Sequence, residues 1–213
     1  MTPSLDPLLV LVLLLNLFLL GTSRLRAVIG GSALQGVVLG VLAFVVHGHA
    51  AMQPFLVAAG AVVVKGFVIP RLLYKAMRDA AIHREVEPFI GFIPSLLLGA
   101  AGTGLAVLFA QTLPLAPEHT ATLLLPTSFA TVLTGFVILT TRRKAITQVV
   151  GYLVLENGIF VFGLALLEAM PLLVEVGVLL DLFVGIFVMG IIINHISREF
   201  SSLDVGRLSA LKE

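Results

Sequence analysis

Residues 146–167 read ITQVVGYLVLENGIFVFGLALL, a mostly apolar stretch with a single charged residue, Glu156. A helix needs about 20 consecutive, mostly apolar residues to cross the hydrocarbon core of a bilayer. This stretch is long enough, and it lacks the strict alternation of apolar and polar residues that is typical of a strand in a membrane barrel. It therefore predicts a transmembrane helix.

The same pattern recurs along the chain, with breaks at charge clusters or at Pro, Gly and His residues. The sequence thus predicts an all-α, polytopic transmembrane helix bundle of about seven spans. The predicted spans are residues 5–22, 27–46, 54–74, 89–110, 123–141, 146–167 and 172–194.

The composition supports a membrane protein and excludes other classes. Of the 213 residues, 59% are hydrophobic and 12% are charged, and the mean hydropathy is +1.12. A soluble domain carries about 25% charged residues, so a soluble globular enzyme and a disordered tail are excluded. The net charge of +1 provides no basic excess for nucleic-acid binding. The chain has no Cys, so it offers no thiolate ligands for a metal or an iron–sulfur cluster.

The basic residues predict an orientation. Apart from Lys65, all Lys and Arg residues lie at the end of, or follow, the first, third, fifth and seventh predicted spans. Lys and Arg accumulate in cytoplasmic loops, so the N-terminus is predicted to lie outside and the C-terminus in the cytoplasm. The first basic residue is Arg24, so the first span lacks the positive region that precedes a cleavable signal sequence and is predicted to be retained.

Three charged residues, Lys65, Glu156 and Asp181, lie well inside predicted spans, away from their ends. A charge at the bilayer centre costs at least about 2.5 kcal/mol, so such residues usually face the bundle interior, often form pairs, and mark ion or proton pathways. They predict a proton pathway, for which Glu175 and His195 are possible mouths. The alternative is a static buried salt bridge between Lys65 and one of the two carboxylates.

Other residues predict helix contacts rather than chemistry. Gly36 and Gly40 form a GxxxG pattern, and Asn16, Asn157 and Asn194 are expected to form hydrogen bonds between helices. Pro70 is expected either to loosen the helix beside Lys65 or to end it. The sequence contains no arrangement typical of a catalytic, metal or cofactor site.

Residues 142–146 (RRKAI), 151–158 (GYLVLENG) and 181–185 (DLFVG) resemble the K subunit of respiratory complex I and the related C subunit of Mrp-type cation/proton antiporters. The whole chain is similar to the hydrogenase-4 component E family, through residues 65–70 (KGFVIP), 151–158 and the tail 203–212 (LDVGRLSALK).

These resemblances imply a membrane-arm subunit of a complex I-related group 4 [NiFe]-hydrogenase complex that contributes to proton translocation. Residues 1–122 would form a four-helix extension, 123–196 a three-helix K-type unit, and 197–213 a cytoplasmic tail. Glu156 takes the place of the first carboxylate of the K subunit, and Asp181 takes that of the second, which is Glu in the K subunit. Lys65 has no counterpart there.

The same resemblances imply the partners and the location. The chain itself would carry no cofactor, and nickel-iron and iron–sulfur groups would belong to partner subunits. Those partners would be antiporter-like and complex I H-type membrane subunits and a cytoplasmic hydrogenase arm, in the inner membrane of a bacterium or an archaeon. A subunit of an Mrp-type antiporter and an autonomous secondary transporter are the alternatives.

Overall fold

A computed structural model describes residues 5–47, 59–60, 62–79, 88–113 and 123–166, and these residues are helical apart from short turns. The helices are α1 (Asp6–Gly21), α2 (Leu25–His47), α3 (Ile69–Asp79), α4 (Phe92–Thr112), α5 (Leu124–Thr141) and α6 (Ala145–Leu166), and a π-helical turn, Val64–Val68, leads directly into α3.

Four of these helices, α2, α4, α5 and α6, are long and apolar enough to cross a membrane, and α1 is a shorter apolar helix. Their bounds lie within a few residues of the predicted spans. The prediction of an all-α fold with apolar helices is therefore confirmed for the residues that the structure describes. The seventh predicted span falls outside the described residues, so the number of spans and the orientation stay predictions.

The third helix extends beyond the predicted third span, which ends at Tyr74, because α3 continues to Asp79. The extra turn forms because α3 is amphipathic at this end. Leu73, Ala76 and Met77 are buried in the core, while Lys75 and Arg78 are exposed, which is the spacing of a helix with one apolar face.

Helices α5 and α6 form the most extensive contact in the bundle. A Cβ atom on Gly158 would lie 2.6 Å from the backbone nitrogen of Val132, so only a glycine permits this approach of the two backbones. Helix α1 packs against α2, α4 and α5, and α2 packs against α3 and α6. By contrast, α4 exposes large apolar side chains such as Ile93 and Leu97, which are 75% and 66% exposed.

Two apolar clusters fill the core, and a layer of polar side chains lies between them. The first cluster includes Leu19, Ile29 and Val154, and the second includes Val12, Val38 and Phe160. Along α1, α2 and α6, the polar residues fall between these two sets. Asn16, Gln35, Thr131, Glu156 and Asn157 are all at least 98% buried. The candidate site lies in this layer.

Arg142 differs from the other basic residues at its end of the bundle. It was predicted to be one of the charges in a cytoplasmic turn, but its side chain is 1% exposed. Its guanidinium donates hydrogen bonds to the carbonyl oxygens of Leu20 (2.8 Å) and Ile90 (3.1 Å). The Leu20 carbonyl belongs to the last turn of α1, where carbonyls lack helical partners. Arg142 thus joins the end of α1 to the start of α4.

Candidate functional site

The backbone around Lys65 is π-helical. The N–H of Ile69 donates to the carbonyl of Val64, five residues earlier, in place of the usual four. Pro70 has no N–H to donate to the carbonyl of Gly66, so it removes one α-helical bond at this point. Of the two alternatives for Pro70, loosening of the helix is confirmed, because the helix continues past it to Asp79. Such single π turns frequently occur at functional sites.

The loosened turn brings Lys65 to Glu156, which lies near the middle of α6. The Lys65 Nζ atom is 3.7 Å from the Glu156 Oε2 atom, and the two side chains are 11% and 2% exposed. The ammonium also lies 5.8 Å from the centre of the Phe160 ring. The structure therefore brings together two of the three predicted intramembrane charges. Asp181, together with the two possible pathway mouths, Glu175 and His195, lies outside the described residues.

A chain of hydrogen bonds leads away from Lys65 through the polar layer. Lys65 Nζ donates to Asn157 Oδ1 (3.3 Å), and Asn157 Nδ2 donates to Gln35 Oε1 (3.1 Å). Gln35 Nε2 then donates to Asn16 Oδ1, and Asn16 Nδ2 donates to the Thr131 hydroxyl, both at 2.8 Å. We call Asn157, Gln35, Asn16 and Thr131 the amide chain. It joins α6, α2, α1 and α5.

All the bonds of the amide chain run in the same direction. Each member accepts from the Lys65 side and donates away from it, and the last donor, Thr131, bonds the backbone carbonyl of Thr127 (2.6 Å). The negative ends of the side-chain dipoles therefore point toward the ammonium, and bonds in such a series strengthen one another. Asn and Gln side chains neither gain nor lose protons at physiological pH. The amide chain therefore holds Lys65 in position, and its three amide members offer no titratable group.

Sequence reasoning identified part of this arrangement. Asn16 and Asn157 were predicted to form hydrogen bonds between helices, and they do, whereas Asn194 lies outside the described residues. Gln35 and Thr131 were missed. The available signal was that Gln35 is an amide in an otherwise apolar span, immediately before Gly36. Such a residue usually has a partner on another helix.

Replacing Gln35 with Leu interrupts the amide chain and leaves a donor on Asn157 and an acceptor on Asn16 without their present partner. A buried polar group without a partner costs about 1–3 kcal/mol, so we expect a lower temperature of unfolding in detergent. Gln111→Leu is the matched control, because Gln111 is exposed near the end of α4. Equal melting temperatures for the two variants would contradict a structural role for the amide chain.

The described residues contain no group of three or more His, Asp or Glu side chains that could hold a metal ion. In the middle of the bundle, the described residues place one carboxylate, Glu156, beside one amine, Lys65, with neutral amide side chains next to them.

Together, these helices and the buried charge pair in their middle define a polytopic membrane protein. The chain belongs to the same family as the uncharacterised protein Rv0085 of Mycobacterium tuberculosis, with 34% identity over 195 residues, which cover 89% of this chain and 87% of that protein. It is also a distant homologue of hydrogenase-4 component E of Escherichia coli and Shigella flexneri, with 27% identity over 203 residues, or 95% of this chain and 94% of each relative. No protein-family model and no solved structure matches the chain.

Proposed function

We propose that this chain is a membrane subunit of a hydrogenase-related complex, and that Lys65 and Glu156 exchange a proton as part of proton translocation. The observation that carries the proposal is the buried Lys65–Glu156 contact at a π-helical turn in the middle of the bundle. The distant homology to hydrogenase-4 component E supports the assignment to such a complex.

The pair has two forms that differ in charge distribution. In one form an ammonium faces a carboxylate, and in the other the proton has moved and both groups are neutral. A dry apolar environment favours the neutral form, whereas water or a nearby charge favours the ionised form. A redox step in a partner subunit that changes the hydration or charge near Glu156 would therefore move the proton.

A continuous pathway needs further carriers. The amide chain holds Lys65 on one side, so the proton route must leave the pair through other groups. In this proposal Asp181 is the next carrier, with Glu175 and His195 at the ends of the pathway and internal water between them. The chain holds no cofactor, and the nickel-iron and iron–sulfur groups belong to a cytoplasmic hydrogenase arm. Antiporter-like and complex I H-type subunits are its membrane partners, in the inner membrane of a bacterium or an archaeon.

Purification of the native complex in a mild detergent tests the assignment. We expect antiporter-like and hydrogenase-type subunits to be identified with this chain by mass spectrometry, and nickel and iron to be found in the same fraction. Recovery of the chain alone, or with Mrp-type subunits and no redox metal, would refute the hydrogenase-related assignment. In that case, cation/proton exchange by the recovered protein in liposomes is the next assay.

The position of Lys65 depends on Gly36. A Cβ atom at residue 36 would lie 2.8 Å from the Lys65 Cβ atom, so Gly36→Ala must push the π-helical turn away from α2. We expect a loss of about 1–3 kcal/mol of stability, as for other overpacked sites, together with reduced proton translocation.

Gly104→Ala is the control for that change. Nothing lies within 4 Å of a Cβ atom there, and Ala is about 1 kcal/mol better than Gly in a helix. This variant is expected to be as stable as the unchanged protein or more stable. If Gly36→Ala also kept full stability and full proton translocation, the close contact between α2 and the turn that carries Lys65 would not be needed for function.

A further inference from the structure

A cleft of about 390 Å³ opens beside the last two turns of α3, and its lining is rich in arginine. Arg26 contributes from the start of α2, and Arg71 and Arg78 contribute from α3, with Tyr74 and Met77 between them. The three arginines are exposed and Met77 is buried. The described residues that line this cleft include no acidic side chain. Its size lies within the range of about 300–1,000 Å³ that is typical of small-molecule sites.

The fold holds the cleft in place. Arg71 and Arg78 are two helical turns apart, so they lie on the same face of α3. Tyr74 lies between them, and its hydroxyl donates a hydrogen bond to the backbone carbonyl of Arg26 (3.3 Å). This bond fixes α3 against the start of α2, whose N-terminal end adds a partial positive charge. The arginines are therefore presented by helices and not by a loop.

The chemistry of the cleft fits a phosphate group. Arginine guanidinium groups bind phosphate oxygens in a bidentate geometry, and several of them together neutralise its charge. Basic pockets between membrane helices on the cytoplasmic side commonly hold the headgroups of anionic lipids. The arginines of this cleft lie near the end of the bundle that also carries Arg142 and Arg143.

The surface next to the cleft fits an acyl chain. Phe67, Val68 and Leu72 are 53%, 41% and 37% exposed, and they lie within the turns around and before Arg71 on the same continuous helical segment. Phe67 is one turn before Arg71, further from the end of α3. A cationic cleft with an exposed apolar strip leading away from it matches a molecule with a phosphate at one end and a hydrocarbon at the other.

We propose that this cleft binds the phosphate headgroup of an anionic phospholipid, with an acyl chain along Phe67, Val68 and Leu72. This inference does not depend on the proposed function. It has a consequence for the site, however, because α3 is continuous with the π-helical turn that carries Lys65. A bound lipid therefore restrains the segment that sets the distance between Lys65 and Glu156.

The test compares two triple variants of the full chain in detergent. The first, Arg26→Gln/Arg71→Gln/Arg78→Gln, removes the cleft arginines. The second, Arg24→Gln/Lys75→Gln/Arg143→Gln, removes three exposed basic residues outside the cleft and changes the net charge equally. Phosphatidylglycerol, phosphatidylcholine and inorganic phosphate are titrated separately, and binding is followed by native mass spectrometry and by the melting temperature.

We expect phosphatidylglycerol to bind the unchanged protein more tightly than phosphatidylcholine, and the cleft variant to lose at least roughly tenfold in affinity. The control variant should stay within about twofold of the unchanged protein. Equal losses in both variants would show a general effect of surface charge and overturn the proposal. Inorganic phosphate that competes as well as the lipid would make this a site for free phosphate. The single variant Arg78→Gln, with intact helical circular dichroism, provides the same comparison if the triple variant does not fold.

Discussion

Replacing Glu156 with Gln is expected to lower the free energy of unfolding by about 3–5 kcal/mol, the usual effect of removing one partner from a buried ion pair. The carboxylate is 2% exposed and its Oε2 atom lies 3.7 Å from Lys65 Nζ. In the variant, Lys65 keeps its hydrogen bond to Asn157 Oδ1 but loses the carboxylate beside it. Thermal or denaturant unfolding in detergent measures the loss.

The double variant Lys65→Met/Glu156→Gln should recover most of that stability. Replacing a buried pair by uncharged groups of similar volume is often neutral or stabilising, because the desolvation cost of both charges disappears. The two single variants and the double variant form a cycle that isolates the interaction between the two side chains. Asp6→Asn is the matched control for loss of a carboxylate, since Asp6 lies at the start of α1 and Asn can still accept the hydrogen bond from the Leu123 N–H.

The double variant also separates the two roles that the pair could have. If the pair is a static support, a complex assembled with the double variant should translocate protons at the rate of the unchanged complex. If the pair carries protons, that complex should assemble but lose coupled proton movement, measured with a pH-sensitive dye inside vesicles. Normal assembly with undiminished translocation is the result that would falsify the proton role.

The bounds of the helices were predictable because they depend on local composition. Residues 124–141 and 145–166 are apolar runs between charged turns, and any sequence of that kind forms a helix in a membrane. The rotation of each helix about its axis was not predictable. A helix that is apolar on all sides has no hydrophobic face to set its rotation, so nothing local indicated that Gln35 would meet Asn157, 122 residues away.

Burial of charged residues was also only partly predictable. The positions of Glu156 and Lys65 well inside their spans indicated burial, and the contact between them was one of two pairings that the sequence allowed for Lys65, the other being with Asp181. Two features favour this pairing. Gly36 lets the turn that carries Lys65 lie close to α2, and Pro70 loosens the backbone around Lys65. By the count of basic residues alone, Arg142 and Arg143 are equivalent. In the structure they differ, because Arg142 is buried and Arg143 is exposed.

Replacing Arg142 with Met is expected to cost about 3 kcal/mol or more, since each hydrogen bond to a charged group contributes about 1.5–3 kcal/mol. The side chain bonds the carbonyls of Leu20 and Ile90 and lies 4.5 Å from the centre of the Phe92 ring. Loss of these contacts leaves the end of α1 and the start of α4 without their common partner. Arg142→Lys should recover part of the stability, because an ammonium can bond a carbonyl but cannot reproduce the planar geometry of guanidinium.

Arg143→Met is the matched control for this change, since Arg143 is the adjacent residue and has the same charge. Its guanidinium is exposed and lies 4.6 Å from the centre of the Phe89 ring, a contact worth about 0.5–1 kcal/mol at a surface. Both variants remove one positive charge from the same turn. If the two residues acted only through their charge, the variants would have equal effects on membrane insertion and on stability. A difference of about 2 kcal/mol or more in unfolding free energy identifies Arg142 as a structural link between helices, and equal losses would mean that both residues act only through their charge.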